Sequence, residues 1–210
     1  MVKIFFARSL VDQVAQFDQF LSPPPAEAPW KSNNSLVAIF IGINDVVWAP
    51  SRLPKIVEYV DAQGNSWFFV RTPSTSEIIT HFSTRCIETN VTQHEFHRML
   101  LNRYFEQVEN LYEKGIRSFL FVNVPPIDRA PLFIQQGVAT TRAVKASIAD
   151  YNIQLLGQVK AFQSRHKDLD QITVFDSNKL FNTLLDGADT IGWVNSTGFC
   201  EAYQVSPQLI

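Results

Sequence analysis

A continuous apolar run, Leu-Val-Ala-Ile-Phe-Ile at residues 36–41, is the feature that most restricts what this chain can fold into. The run lacks the alternation of apolar and polar residues that marks a strand with one solvent-facing side, and it ends at Gly42. It therefore predicts a strand that is buried on both faces, in the middle of a parallel sheet. Apolar residues at 118–123 and 172–175 predict two further strands.

Helical patterns occupy the stretches between these strands. Ser9 and Asp12, like Thr92 and Glu95, have the spacing of a capping box, and apolar residues follow each pair at helical intervals. A third apolar stripe, at residues 148–162, predicts another long helix. Strands that alternate with helices of this length predict an α/β fold, in which a parallel sheet is covered by helices on both faces. We expect a single domain over residues 1–210.

The charge and composition of the chain exclude several classes of function. Its formal net charge is −2 and it has no long basic run, so we expect neither nucleic acid nor membrane as a partner. No apolar run is long enough to cross a bilayer, and residues 4–7 are too few for the apolar core of a signal peptide. Glycosylation acceptor sequences at Asn33, Asn90 and Asn195 matter only in a secreted protein, and such short sequences also arise by chance.

The strand ends are where a site is expected, since ligands bind beyond the carboxyl ends of the strands in such sheets. Gly42 lets the chain turn sharply after the first strand, and Asn44 can then direct its amide group towards a developing oxyanion. The same residue types also form plain turns, which is the alternative interpretation.

Four sequence blocks resemble, in the same order, blocks of the GDSL (SGNH) ester hydrolases. The blocks are F-I-G-I-N-D at residues 40–45, F-V-N-V-P-P-I-D-R-A-P at 121–131, V-F-D-S-N at 174–178 and N-S-T-G-F-C-E-A-Y-Q at 195–204. They are most similar to the fungal acetylesterases of carbohydrate esterase family 16. The resemblance covers residues 9–46 and 89–204, and it implies a flavodoxin-like three-layer α/β/α fold that is incomplete at both ends of this chain.

The resemblance assigns roles to two residues. It makes Asn44 a side chain of the oxyanion hole and Gly42 the residue that lets its loop form. The implied activity is hydrolysis of acetyl or short acyl esters, on small molecules or oligosaccharides, by an extracellular protein that needs no cofactor. It also implies that Cys200 pairs with a cysteine further along the family's chain, so we expect no disulfide between Cys86 and Cys200.

The rest of the family's catalytic machinery has no counterpart in these 210 residues. The nucleophile of the family lies in a G-D-S segment, a glycine in a later block is a second oxyanion donor, and the triad Asp and His lie in a D-x-x-H block. None of these is found here. Because acyl-enzyme chemistry needs the serine and the histidine, we expect this chain by itself to be catalytically incomplete.

No other pattern replaces the missing groups. His94 and His97 lie three residues apart, but no H-E-x-x-H motif or third ligand accompanies them. We therefore expect His94 and His97 to face solvent from a helix and to bind no metal. We expect His81 and His166 likewise to face solvent without a catalytic role. No serine lies in a G-x-S-x-G elbow, so no substitute nucleophile is predicted.

Residues 47–88 interrupt the family pattern, and two explanations are open. Joining residue 46 to 64, and residue 69 to 89, restores that pattern, and the border codons allow 47–63 and 70–88 to be translated introns. Alternatively, the segment is a lid or specificity insertion with a sugar-stacking surface. The aromatic residues available for that surface are Trp48, Trp67, Phe68, Phe69 and Phe82. Either explanation predicts an irregular insertion.

Three classes of function follow from the sequence. The first is an ester hydrolase of which this chain is a part, and the second is a non-catalytic module that retains a carbohydrate- or ester-binding crevice. The third is a fragment that does not fold stably, because an open sheet edge and an uncovered core remain. We expect the first as the function of the family and the third as the behaviour of this chain. The oligomeric state is not predicted.

Overall fold

A computed structural model describes residues 9–48, 56–60, 66–70, 87–89 and 92–199, with side chains for residues 9–46 and 92–199. The strands are β1 (Val37–Phe40), β2 (Ile56–Val60), β3 (Ser66–Val70), β4 (Ile87–Thr89), β5 (Ser118–Val122) and β6 (Gln171–Phe175). The α-helices are α1 (Leu10–Leu21), α2 (Ile43–Trp48), α3 (Gln93–Glu113), α4 (Pro131–Ile134), α5 (Val138–Arg165) and α6 (Ser177–Asp186). Short 3-10 helices span Ser32–Asn34, Ile127–Arg129 and Ala188–Ile191.

A parallel sheet with the strand order β1, β5, β6 is the centre of the fold. In its register Ile39 lies opposite Phe121, and Phe121 lies opposite Val174. The prediction of an α/β fold with a parallel sheet is thereby confirmed. The sequence predicts a central place for the first strand, whereas among the described strands of this sheet β5 is the middle one and β1 lies beside it.

The helices begin where the sequence predicts. Ser9 caps α1 and Thr92 caps α3, each in a reciprocal capping box with the acidic residue three positions on. Asp176 caps α6 by accepting a hydrogen bond from the Lys179 amide. These caps satisfy amide groups that a helix start leaves without partners, and so they fix the helix boundaries.

The core lies between one face of the sheet and the helices α3 and α5. Phe119 and Phe121 project from β5 on this inner face, and both are fully buried. The ring of Phe121 stacks on Phe105 of α3 at a centroid distance of 5.6 Å, while the ring of Phe119 meets Phe162 of α5 edge-on at 5.5 Å. One strand thus anchors both long helices to the same face, which also packs α3 against α5.

The outward face of the sheet is largely exposed, which corrects the prediction of burial on both faces. On this face the exposed fraction is 57% for Phe40 and 45% for Phe175, and Leu36, just before β1, is 56% exposed. Residues 36–41 are all apolar, but only Ile39 among them is buried, while Val37 and Ile41 are partly exposed. The sequence predicts an uncovered core, whereas the inner face of the described sheet carries a cluster of buried residues.

Parts of the segment 47–88 form regular strands, whereas the sequence predicts an irregular insertion. Its backbone forms an antiparallel sheet with the order β3, β2, β4, and α2 already extends to Trp48. Translated introns and a lid or specificity insertion both stay predictions for this segment. The structure does not describe the side chains of the proposed stacking residues. The same holds for Cys86, Cys200 and His81, on which other predictions rest.

His97 is fully buried, so the prediction that it faces solvent is wrong, whereas His94 is exposed as predicted. Both rings direct Nδ1 to the Asp150 carboxylate of α5, at 2.6 Å from His97 and 2.7 Å from His94. His166 is also mostly buried and bonds Glu109 through Nε2 at 2.7 Å. These histidines join α3 to α5, which is a role that spacing along one helix does not reveal.

The burial of His97 predicts a loss of stability in mildly acidic solution. Burial lowers the pKa of His97 in the folded chain, despite the opposing effects of the Asp150 and Asp45 carboxylates. The unfolded chain, with an ordinary histidine pKa of about 6.5, then binds a proton that the folded chain does not. Stability should therefore fall as the pH drops from about 7 through 6.5 towards the lowered pKa.

Urea unfolding at a series of pH values tests this prediction. His97→Gln should flatten the slope of unfolding free energy against pH in this window, whatever its effect on stability at pH 7. His94→Gln, which changes the exposed neighbour on the same carboxylate, is the matched control and should keep the slope. Equal slopes for the unchanged chain and His97→Gln would show that His97 does not titrate in this way.

Candidate active site

The turn after β1 is shaped by a glycine that has no room for a side chain. Gly42 is buried and has a φ of +118°, a conformation that other residues rarely adopt. A Cβ atom placed on it would lie 2.6 Å from Cζ of Tyr151 on α5 and would also collide with the hydroxyl oxygen. That hydroxyl lies 3.4 Å from the carbonyl of Ile41. The glycine therefore permits both the backbone direction and the close approach of α5.

Asn44 lies in the first turn of α2, just beyond the carboxyl end of β1. Its side chain is exposed and lines a cleft of about 520 Å³. Gly42 lines the same cleft, so the structure brings the two predicted site residues together. The direction in which the Asn44 amide points in a complex with substrate stays a prediction.

The cleft beside Asn44 has a wall of polar side chains from α3. Arg103, Tyr104 and Gln107 line it together with Tyr151 of α5. Tyr104 and Gln107 are only 7% and 4% exposed. Burial raises the pKa of both the Tyr104 and Tyr151 hydroxyls, which therefore stay protonated and able to donate hydrogen bonds.

The carboxyl ends of β5 and β6 are joined by a second polar cluster. Asn123 donates to Asp176 at 2.8 Å, and hydrogen bonds from Lys179 and Asn123 lower the pKa of that carboxyl. Ser177 is 2% exposed, and its hydroxyl donates to Asn123, whose carbonyl and side-chain oxygens lie 2.5 and 2.9 Å away. This serine is committed to holding two strand ends together, so it does not supply a nucleophile.

A Ser-His-Asp series of contacts, which the sequence does not predict, lies beside the candidate site. Ser147 Oγ is 3.4 Å from Nε2 of His97, whose Nδ1 is 2.6 Å from Asp150. Ser147 and His97 have no exposed surface, so an ester cannot reach the hydroxyl. No signal in one sequence links position 97 to position 147, because only the packing of α3 on α5 brings them together.

Neither a metal-binding group of side chains nor a membrane-spanning helix is found in the part of the chain that the structure describes. No group of three or more His, Cys, Asp or Glu side chains there could hold a metal ion. His94 and His97 share the carboxylate of Asp150 in place of a metal. None of the described helices combines the length and the apolar character needed to cross a membrane.

The chain is similar to two curated proteins, while no family model matches it. An acetylesterase of Thermothelomyces thermophilus is 27% identical over 190 residues, which are 90% of this chain and 50% of that protein. A thermolabile hemolysin of Vibrio parahaemolyticus is 25% identical over 97 residues, which are 46% of this chain and 22% of that protein.

This chain therefore spans about half the length of the acetylesterase that it matches. The matched region includes the α/β core and the turn at Asn44 in a protein named for ester hydrolysis. Together, the fold and these similarities support an esterase family for the chain.

Proposed function

We propose that this chain is part of a secreted SGNH (GDSL) ester hydrolase close to the carbohydrate esterase family 16 acetylesterases, in which Asn44 is an oxyanion-hole side chain. Its substrates in this proposal are acetyl esters of carbohydrates, as small molecules or oligosaccharides. The observation that carries the proposal is the place of Asn44, beyond the carboxyl end of β1 and on the border of a cleft. Ligands of parallel α/β sheets bind at that edge.

The chemistry assigned to Asn44 is electrostatic. When a nucleophile attacks an ester carbonyl, negative charge develops on the carbonyl oxygen, and a fixed amide donor lowers the energy of that state. Asn44 suits this role because its backbone belongs to a helical turn that packs on α5 through buried Val46. The cleft beside it is large enough for a short acyl group and part of a sugar.

The serine and histidine that complete the reaction are not among these 210 residues in our proposal. Ser147 and Ser177 are buried and hydrogen-bonded, and no described serine stands beside a histidine that a substrate can reach. We assign the nucleophile and the triad histidine to blocks that the full-length enzyme carries in addition to this segment. Binding of an ester without turnover is the alternative function of the segment alone.

The 210-residue segment by itself should not hydrolyse nitrophenyl acetate above background, even when it is folded. An oxyanion donor stabilises charge that appears only after a nucleophile attacks, and no group here is placed to attack. Release of nitrophenol by the purified segment measures this, with heat-denatured segment as the control. Turnover that persists through purification and resists serine-directed inhibitors would contradict the assignment of the nucleophile.

In the full-length enzyme, Asn44→Ala should lower kcat by roughly a hundredfold or more and leave KM nearly unchanged, because the lost interaction exists only in the transition state. Steady-state kinetics on an acetyl ester measures both constants. Asn110→Ala, which truncates an exposed amide near the carboxyl end of α3, is the matched control. It should change neither kcat nor KM. An enzyme that keeps its kcat without the Asn44 amide would remove the basis of the proposal.

Gly42→Ala should destabilise the chain by about 2–4 kcal/mol, because the new methyl group meets the Tyr151 ring in a backbone conformation that alanine resists. Gly157→Ala is the matched control, since it lies on the exposed side of α5 with open space around a new methyl group. It should instead stabilise by about 0.5–1 kcal/mol. Urea unfolding measures both, and similar effects at the two glycines would contradict the close packing at Gly42.

A further inference from the structure

A buried serine of α5 bonds to the helix that carries Asn44. Ser147 Oγ donates to the carbonyl of Val46 at 3.1 Å, and neither residue has exposed surface. The amide of Val46 in turn donates to the carbonyl of Gly42 at 3.0 Å, which closes the first turn of α2. The serine hydroxyl therefore holds the turn in which Asn44 lies.

This bond is unusual for a serine in the middle of a helix. Such a hydroxyl commonly bonds back to a carbonyl one turn earlier in its own helix, as Ser164 does with Ala161 at 2.8 Å. Ser147 instead donates its hydrogen bond to a carbonyl of another helix, α2. A buried hydroxyl that donates its hydrogen bond to another helix restricts the distance and the rotation between the two helices.

His97 and Asp150 orient the hydroxyl of Ser147. The imidazole Nε2 of His97 lies 3.4 Å from Oγ, and Nδ1 bonds Asp150, which also accepts from His94 and from Gln154. Three elements thus meet at one hydroxyl: α2 through a carbonyl, α3 through the imidazole and α5 through the serine itself.

The order of contacts matches a hydrolytic triad, but the geometry opposes that use. The Ser147 proton lies towards Val46, which is closer than His97 Nε2, and both side chains of the pair are fully enclosed. A nucleophile needs a base that takes its proton and a path for the substrate. Neither condition is met, so the contacts position a helix.

We propose that Ser147, oriented by His97 and Asp150, is a positioning residue that fixes α2 and thereby the place of Asn44 at the cleft. The proposal rests on the proposed function of Asn44, because an oxyanion donor contributes most when it is fixed before the reaction begins. A mobile α2 would spread the amide over many directions and lose part of that effect.

The arrangement also couples α2 to the protonation of His97. Neutral His97 donates from Nδ1 to Asp150 and leaves Nε2 as a second acceptor for the one Ser147 proton. Protonated His97 donates from Nε2 as well, so that the carbonyl of Val46 becomes the sole acceptor. The other groups facing the imidazole are Asp45 of α2, His94 of α3 and, edge-on at 5.6 Å, Tyr151 of α5.

Hydrogen exchange of the Val46 amide in the 210-residue chain tests the proposal directly. Ser147→Ala should speed this exchange about five- to tenfold, as expected for the loss of one buried hydrogen bond, relative to the Phe121 amide that reports global unfolding. Ser164→Ala, on the same helix, is the matched control and should leave it unchanged. An unchanged Val46 exchange rate in Ser147→Ala overturns the proposal.

A pH series of Val46 exchange in the unchanged chain gives a second test, whose main result does not depend on the folding of a variant. After correction for intrinsic exchange rates, protection of the Val46 amide relative to the Phe121 amide should rise as His97, followed by its ring resonances, takes up a proton. Asp45→Asn removes the titrating carboxyl group of α2 and should keep this dependence, whereas Ser147→Ala should abolish it. Protection that does not follow the titration of His97 contradicts the coupling.

Two further outcomes separate this proposal from others. Covalent labelling of Ser147 by a fluorophosphonate would show an accessible nucleophile and overturn the positioning role. In the full-length enzyme, Ser147→Ala should lower kcat more than it raises KM. If Asn44→Ala leaves kcat unchanged while Ser147→Ala still speeds exchange of the Val46 amide, the proposed function is wrong, but the positioning of α2 by Ser147 is supported.

Discussion

The contact between Gly42 and the ring of Tyr151 determines how β1, α2 and α5 meet. Because no side chain fits there, the backbone of the turn lies directly against the ring, and the Tyr151 hydroxyl faces the carbonyl at the end of β1. The chain then enters α2, whose residue Val46 is fully buried. Asn44 is left at the border of the cleft as a consequence of this packing.

A buried polar layer between α3 and α5 supports the same region. Burying an imidazole is unfavourable unless its nitrogens find partners, and His97 finds Asp150 and Ser147. Hydrogen bonds from His94, His97 and Gln154 outweigh burial and lower the pKa of Asp150, which keeps it an acceptor. The helices that frame the candidate site are therefore joined by polar groups with defined directions as well as by the aromatic rings of the core.

The helix starts and the turn after β1 could be predicted from the sequence, whereas the burial of individual side chains could be predicted less well. Capping pairs at Ser9 and Thr92 and the glycine after β1 act over a few residues, so their outcomes follow from nearby chemistry. Strand burial depends on what covers each face, and residues 36–41 are apolar on a face that stays largely exposed. The burial of His97 depends on contacts 50 or more positions away in the chain, which one sequence does not reveal.

The central claim, that Asn44 is an oxyanion donor, is tested most directly by observing its amide in a state that resembles the transition state. In the full-length enzyme, reaction of the nucleophile with an organophosphonate places a charged oxygen where the oxyanion forms. The side-chain amide protons of Asn44, assigned by NMR through Asn44→Asp, should then shift strongly downfield. Amide resonances that are the same in the free and modified enzyme would contradict the claim.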